Sequence, residues 1–258
     1  MFAVLHVSSF ALHAALRLRA IDRPSLDRAV ALLADSSRNS LVLQCTPAAN
    51  RAGIRTGMTV PQALARCPRL LVCPRTATGE REAAALLRTA AFMIAPSVEE
   101  TEPGVCTADL TLGAELNHRA LIGQGLAWLQ AQDLPATAGL GRTPLLALYA
   151  AQQTQGTSEL REVTDESAFL SPLPLAIARP PAEIAPVISH WGLRTLGDFN
   201  ALPTADLLQR FGTAGAEFIE RCRGGQPRPL RTVPLAGKFH AGHDLDDPLA
   251  TLEPLLFI

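Results

Sequence analysis

Aromatic residues make up only 5% of these 258 residues and charged ones 18%, and neither sign prevails: 23 Lys and Arg against 24 Asp and Glu leave a net charge of −1. A chain so balanced presents no global field to nucleic acid or to a membrane surface, so any polyanion site has to be local. Cysteine is scarce and unpatterned. Cys45, Cys67, Cys73, Cys106 and Cys222 are odd in number, with neither a CxxC pair nor the Cys/His spacing of a metal site. That excludes a disulfide scaffold and leaves a reduced, cytoplasmic chain with cysteines as small core residues. No apolar run approaches the ~20 residues needed to span a bilayer. The opening MFAVLHVSSFALHAALRLRA comes nearest, yet His6, Ser8, Ser9 and His13 interrupt it, and its charges, Arg17 and Arg19, follow the run, the reverse of a secretory signal. What the chain does have is 48% hydrophobic residues, as in a well-packed protein, and a length of 258 residues, enough for one large domain or two to three small ones.

The opening therefore reads as a buried strand over Phe2 to Val7, a corner at Ser8 and Ser9, and a helix from Phe10 to Arg19, which either serine hydroxyl could cap. SLDRAVALLAD from Ser25 shows helical periodicity, SLVLQC reads as a strand, PAANRAG as a small helix, and Thr59 with Pro61 opens another helix before the strand LLVC. GEREAAALLRTAAFMIA is an amphipathic helix. SVEETEPGVCTADLTL alternates like two strands joined at Glu102, Pro103 and Gly104; RALIGQGLAWLQAQ is helical, and TAGLGRTPLLALYAAQQ gives a strand and then a helix. This order predicts an α+β sheet with helices on one face and a small, mostly helical insertion between about Asp22 and Pro74.

Beyond Thr164 a Pro-rich stretch leads into short helices without a strand. Two pairs of these are joined by glycine-containing turns, SHW-GLRT-LGDF and LQRF-GTAG-AEFI. Such a turn brings backbone N–H groups close to a phosphate, and Thr195 with Asp198 three residues on forms a capping box. Arg194, Arg210, Arg221, Arg223, Arg228 and Arg231 supply local positive charge. The candidate backbone-binding residues are Gly192, Arg194, Thr195, Arg210, Gly212 and Gly215. An ordinary helical bundle with glycine caps is the alternative at this point.

Three segments in this order resemble the Y-family translesion DNA polymerases over nearly the whole chain: GIRTGMTVPQALARCPRLLV its fingers, VEETEPGVCTADLTL its palm hairpin VEEYSIDEAFLDLTG, and WGLRTLGDFNALPTADLLQRFG its thumb. HVSSFALHAALR then stands beside the family's HVDMDAFFASVE. The resemblance implies a ferredoxin-like palm at residues 1–21 and 75–165, small helical fingers at 22–74, and a helix-hairpin-helix thumb at 166–236. Residues 237–258 would be a linker and the start of a little finger, the rest of which is absent.

Family members hold two metal ions with palm carboxylates. Those acids fall here on Ser8, Gly104 and Val105, the triphosphate-gripping Tyr and Arg on Pro47 and Asn50, the sugar-sensing aromatic on His13, and a later Lys on Gln155. Framework positions Gly53, Arg55, Gly57, Met58, Pro68, Asp109 and Gly192 match. Glu99, Glu100, Glu102 and Asp109 lie near the lost acids, and strand alternation puts Glu100 and Glu102 on one face. The combination resembles the ImuB branch. It implies a chain that is not an enzyme and needs no metal or cofactor, and that acts as an adaptor in mutagenic repair. Such an adaptor binds DNA weakly and joins a sliding clamp, a RecA-like accessory protein and an error-prone replicative-type polymerase, with no membrane partner. An active polymerase with atypical metal ligands and a plain helix-hairpin-helix DNA-binding module are the competing readings.

Overall fold

The structure, a computed structural model, describes residues 1–18, 28–37, 39–112, 117–154 and 159–234. The start of the helix expected from Ser25, Gln155 and the expected little-finger segment lie outside the described residues.

The larger sheet contains β1 (Phe2–His6), β5 (Ser97–Glu102), β6 (Val105–Asp109), β7 (Thr137–Gly141) and β8 (Leu160–Glu162), in the order β5-β6-β1-β7-β8. All its pairs are antiparallel except β7 with β8. Its four longer strands and two helices, α4 (Ala77–Phe92) and α5 (His118–Ala131), follow the ferredoxin-like β-α-β-β-α-β order. Alternation along β1 divides the core in two. Ala3, Leu5 and Val7 face Leu87, Ile94, Ile122 and Leu126 on one side, while Phe2 and Val4 face Val105, Ala147 and Ala151 on the other. The second side is covered by α6 (Pro144–Gln152), so helices lie on both faces rather than the expected one. α6 packs backbone against backbone on β7, because a methyl group added at Gly139 would overlap the Ala147 carbonyl oxygen and reach within 2.5 Å of the Ala151 nitrogen.

The insertion carries, beside its helices, a small sheet in which the expected strands SLVLQC and LLVC flank a third, a correction to the helix expected there. β2 (Val30–Leu33), β3 (Val42–Cys45) and β4 (Leu71–Pro74) form the order β3-β2-β4, with β2 antiparallel to β3 and parallel to β4. Residues 30–33, read as helix, are the central strand, buried on both faces. Val30 and Leu32 pack with Leu12 and Ala15 of α1 (Phe10–Arg17), and Ala31 and Leu33 with Ala49, Ile54 and Ala63. Four consecutive apolar residues carry no period, which is why a short buried strand imitates a helix segment. The helix α3 (Val60–Arg66) starts as expected at Thr59, which forms a capping box with Gln62, and α2 (Pro47–Arg51) starts on Thr46.

α1 differs at its start. Ser9 is its N-cap residue but is left-handed, φ 50°, and makes no side-chain cap, since capping requires an extended backbone there. The C-terminal helices are α7 (Glu166–Leu170), a 3-10 turn Leu175–Ala178, α8 (Ala185–His190), α9 (Leu196–Asn200) and α10 (Thr204–Cys222), the last broken at Gly212 with φ 61°. They enclose Ile188, Leu196, Phe199, Leu207 and Phe218 together with Leu146, Tyr149 and Ala150 of α6.

Candidate functional site

The three positions at which the resemblance places metal-binding acids do converge, at the corner where β1 enters α1 beneath the β5–β6 turn. The Val7 amide donates to the Gly104 carbonyl at 2.8 Å and draws the turn down onto the corner. Ser8 is exposed there. Gly104 has φ +82°, and a Cβ at that position would lie 2.6 Å from Phe10 Cβ and 3.0 Å from the Val7 oxygen. Val105 is buried among Phe2, Val4, Ala147 and Ala151.

The neighbouring acids are each engaged by the protein. A register irregularity between Glu100 and Glu102 sets Glu100 opposite Cys106 and Glu102 opposite Val105, and these two partners belong to the two different cores. The expected shared face is therefore absent, because the bulge cancels strand alternation. Glu100 pairs with Arg88 of α4 at 2.7 Å. Glu102 takes both terminal nitrogens of Arg179, at 2.6 and 2.7 Å, and this hydrogen-bonded guanidinium holds its carboxyl below the usual carboxylate range. Glu99, with its side chain 7% exposed, takes two hydrogen bonds from Arg228 and one from the Arg231 amide at 2.6 Å. Asp109 accepts from the amide and hydroxyl of Thr111. Burial pushes His6 and His13 below the ordinary imidazole value, so both favour the neutral form.

Two metal ions, implied by the resemblance, do not fit these residues. Among the described residues no three His, Cys, Asp or Glu groups stand where they could hold a metal ion, and Phe10 fills the space an acidic side chain at position 104 would need. Beside the corner lies a cleft of about 510 Å³ that includes His6, Gln44, Arg75, Gln152 and Arg179 in its lining. Of the expected nucleotide positions, His13 lies on α1, and Pro47 and Asn50 lie exposed on α2, where Arg55 donates to the Asn50 carbonyl at 2.6 Å.

The helix pair α8–α9 and the break at Gly212 form the two expected glycine turns. Gly192 takes the left-handed φ of 73° that ends α8, and Thr195 and Asp198 form the capping box. The amides of this first turn, however, are bonded within the protein. Gly192 donates to Ser189, Leu193 to Ile188, Arg194 and Thr195 to the Asp198 carboxylate at 3.1 and 3.0 Å, and Leu196 to Leu173. Those two amides are the main reason the Asp198 carboxyl sits low. Gly215 fits only because a Cβ there would overlap Phe211.

The arginines divide by partner. Arg221 donates to the Ala178 and Arg179 carbonyls, Arg223 to the Thr204 hydroxyl, and Arg228 to Glu99. Arg194 and Arg210 are exposed and make no ion pair among the described residues. Arg179 was not singled out by the sequence, where it is one arginine in a proline-rich stretch. Its one signal is position: it closes a short apolar turn ahead of Pro180 and Pro181.

A family model described as impB/mucB/samB matches residues 6–152, more than half of the chain. A protein named DNA polymerase IV from Shewanella pealeana is 27% identical over 240 residues, covering 88% of this chain and 64% of its own length. One of the same name from Escherichia coli O157:H7 is 28% identical over 235 residues, covering 89% of this chain and 66% of its own. The chain thus spans just under two thirds of these relatives. Among solved structures, an insertion ternary complex of Dbh DNA polymerase has a TM-score of 0.73 at 16% identity, over 89% of this chain and 69% of that one. DinB from Sulfolobus solfataricus matches with the same score and identity. The names of the curated relatives correct one expectation, that the chain is not an enzyme: the proteins it matches are polymerases by name. No helix among the described residues is long and apolar enough to cross a membrane. With the matched model running from His6, at the end of β1, through Gln152, at the end of α6, the chain belongs to the impB/mucB/samB family, and its fold is that of the Y-family DNA polymerase structures.

Proposed function

We propose that this chain works on DNA in cytoplasmic translesion synthesis and repair, as an ImuB-type member of its family that holds the duplex by its sugar-phosphate backbone and bridges repair partners. The observation that carries the DNA contact is the pair of exposed arginines without an ion-pair partner among the described residues, Arg194 and Arg210, each two residues from the glycine of a thumb turn. A guanidinium presented this way neutralises a phosphate without reading a base, so binding is weak, indifferent to sequence and steeply dependent on salt. Gly192, Thr195, Gly212 and Gly215 shape the two turns. With the amides from Gly192 to Thr195 already bonded, the side chains rather than the backbone of the first turn carry its contact. The partners that fit an ImuB-type role are a sliding clamp, a RecA-like accessory protein and an error-prone replicative-type polymerase.

Fluorescence anisotropy with a labelled duplex across a salt series tests this reading. Each of Arg194→Ala and Arg210→Ala should weaken binding to all sequences alike and reduce the salt slope by roughly one. Unchanged affinity and slope in both variants would remove the thumb from the DNA surface. The names of the curated relatives favour a second reading, in which the chain itself extends a primer. Template-dependent incorporation by the purified chain, above a mock preparation with Mg²⁺ or Mn²⁺, decides for it.

A further inference from the structure

The palm corner has a carboxylate, Glu102, and a cation bound to it, but the cation belongs to the chain. Arg179 closes the 3-10 turn Leu175–Ala178 in a left-handed conformation, φ 49°, unusual for a residue with a Cβ. Arg221 stabilises that turn from α10, its Nε donating to the Ala178 carbonyl at 2.9 Å and its Nη2 to the Arg179 carbonyl at 3.2 Å. The Arg221 carbonyl in turn accepts from the Tyr149 hydroxyl of α6 at 3.0 Å. The fork of Arg179 is thus presented from a braced backbone to both oxygens of Glu102, and a bidentate, charge-assisted pair is the strongest form of such a contact. On the other side of the corner, Phe10 closes off position 104.

We propose that Arg179 is the resident counter-cation of the palm corner: its guanidinium occupies the Glu102 carboxylate in place of a divalent metal ion and, in doing so, fastens the thumb to the β5–β6 hairpin. The assignment is independent of any contact with DNA. It explains together the bulge that turns Glu102 away from Glu100, the left-handed Arg179 and the Arg221 brace, which otherwise have no common purpose.

Two measurements on the full chain test it. In amide hydrogen exchange, Glu102→Gln, isosteric with the native side chain, and Arg179→Gln, a shorter neutral one, should each speed exchange in residues 97–109 and 175–179 by about fivefold, as expected for a partly exposed ion pair. The double variant should be no faster than either single one. Additive effects in the double variant, or wild-type exchange in the single ones, would show that the pair fastens nothing. In a titration followed by electron paramagnetic resonance, the wild-type chain should bind no Mn²⁺ up to about 1 mM, the weak end of protein divalent-cation sites. A Mn²⁺ site that is present in the wild type and lost in Glu102→Gln would overturn the assignment.

Discussion

Replacing Gly104 by alanine tests how tightly the palm corner is closed. The residue has φ +82°, and forcing a side chain into left-handed backbone costs about 1–2 kcal/mol. The added Cβ would stand 2.6 Å from Phe10 Cβ and 3.0 Å from the Val7 oxygen, well inside contact distance, and overpacking of that kind costs roughly 1–3 kcal/mol more. A combined loss near 3 kcal/mol corresponds to a melting temperature lower by roughly 6–12 °C in a domain of this size. Thermal unfolding followed by circular dichroism reads it directly. Gly104→Asn separates the two causes. Asparagine tolerates left-handed backbone but carries the same Cβ, so it should recover only the smaller part of the loss. An aspartate at this position, the residue the resemblance places there, has the same Cβ and meets the same obstruction. An unchanged melting temperature in Gly104→Ala would refute the reasoning, because it would mean that the turn and Phe10 separate without cost.

The segment that follows α10 is held by Glu99, whose carboxyl is kept below the ordinary 4.5 chiefly by the Arg228 hydrogen bonds. A depressed carboxylate stabilises the fold fully above its unfolded pKa and loses that contribution as pH falls through the folded value, so exchange at residues 228–233 should accelerate only below about pH 4.5. Glu99→Gln should show the faster exchange already at pH 7 and no further acid step. Gly139→Ala should prevent α6 from seating on β7 and lower stability by more than 3 kcal/mol or about as much as a severe core defect, measured as loss of the cooperative urea transition; a normal transition would show that the helix can lift without consequence.

The parts legible in the sequence were those set by local rules. The β1–α1 corner, the hairpin around Glu102 to Gly104, the amphipathic α4 and α5, and the starts at Thr59 and Thr195 each carry a period or a capping pattern within a few residues. The missing parts depend on what packs from elsewhere. β2 is buried on both sides by elements distant in sequence, so its four apolar residues have no alternation to show. The three residues of β8 are too short a segment to signal a strand against the loops around them. At the candidate site, the convergence of Ser8, Gly104 and Val105 follows from the β1–β6 pairing, and only the resemblance pointed to these three positions. The bulge at Glu102, the additional Arg194 amide bonded to Asp198 and the thumb-side origin of Arg179 were not legible, since each joins groups whose partners no spacing rule connects.

α6 gives one face to the larger sheet, through Ala147 and Ala151, and its other face to the helical core, through Leu146, Tyr149 and Ala150. A helix shared in this way has no free side to release. The sheet and the C-terminal helices should therefore melt as one cooperative unit, and the β3-β2-β4 sheet, joined to α1 through Leu12 and Ala15, should loosen only together with that helix.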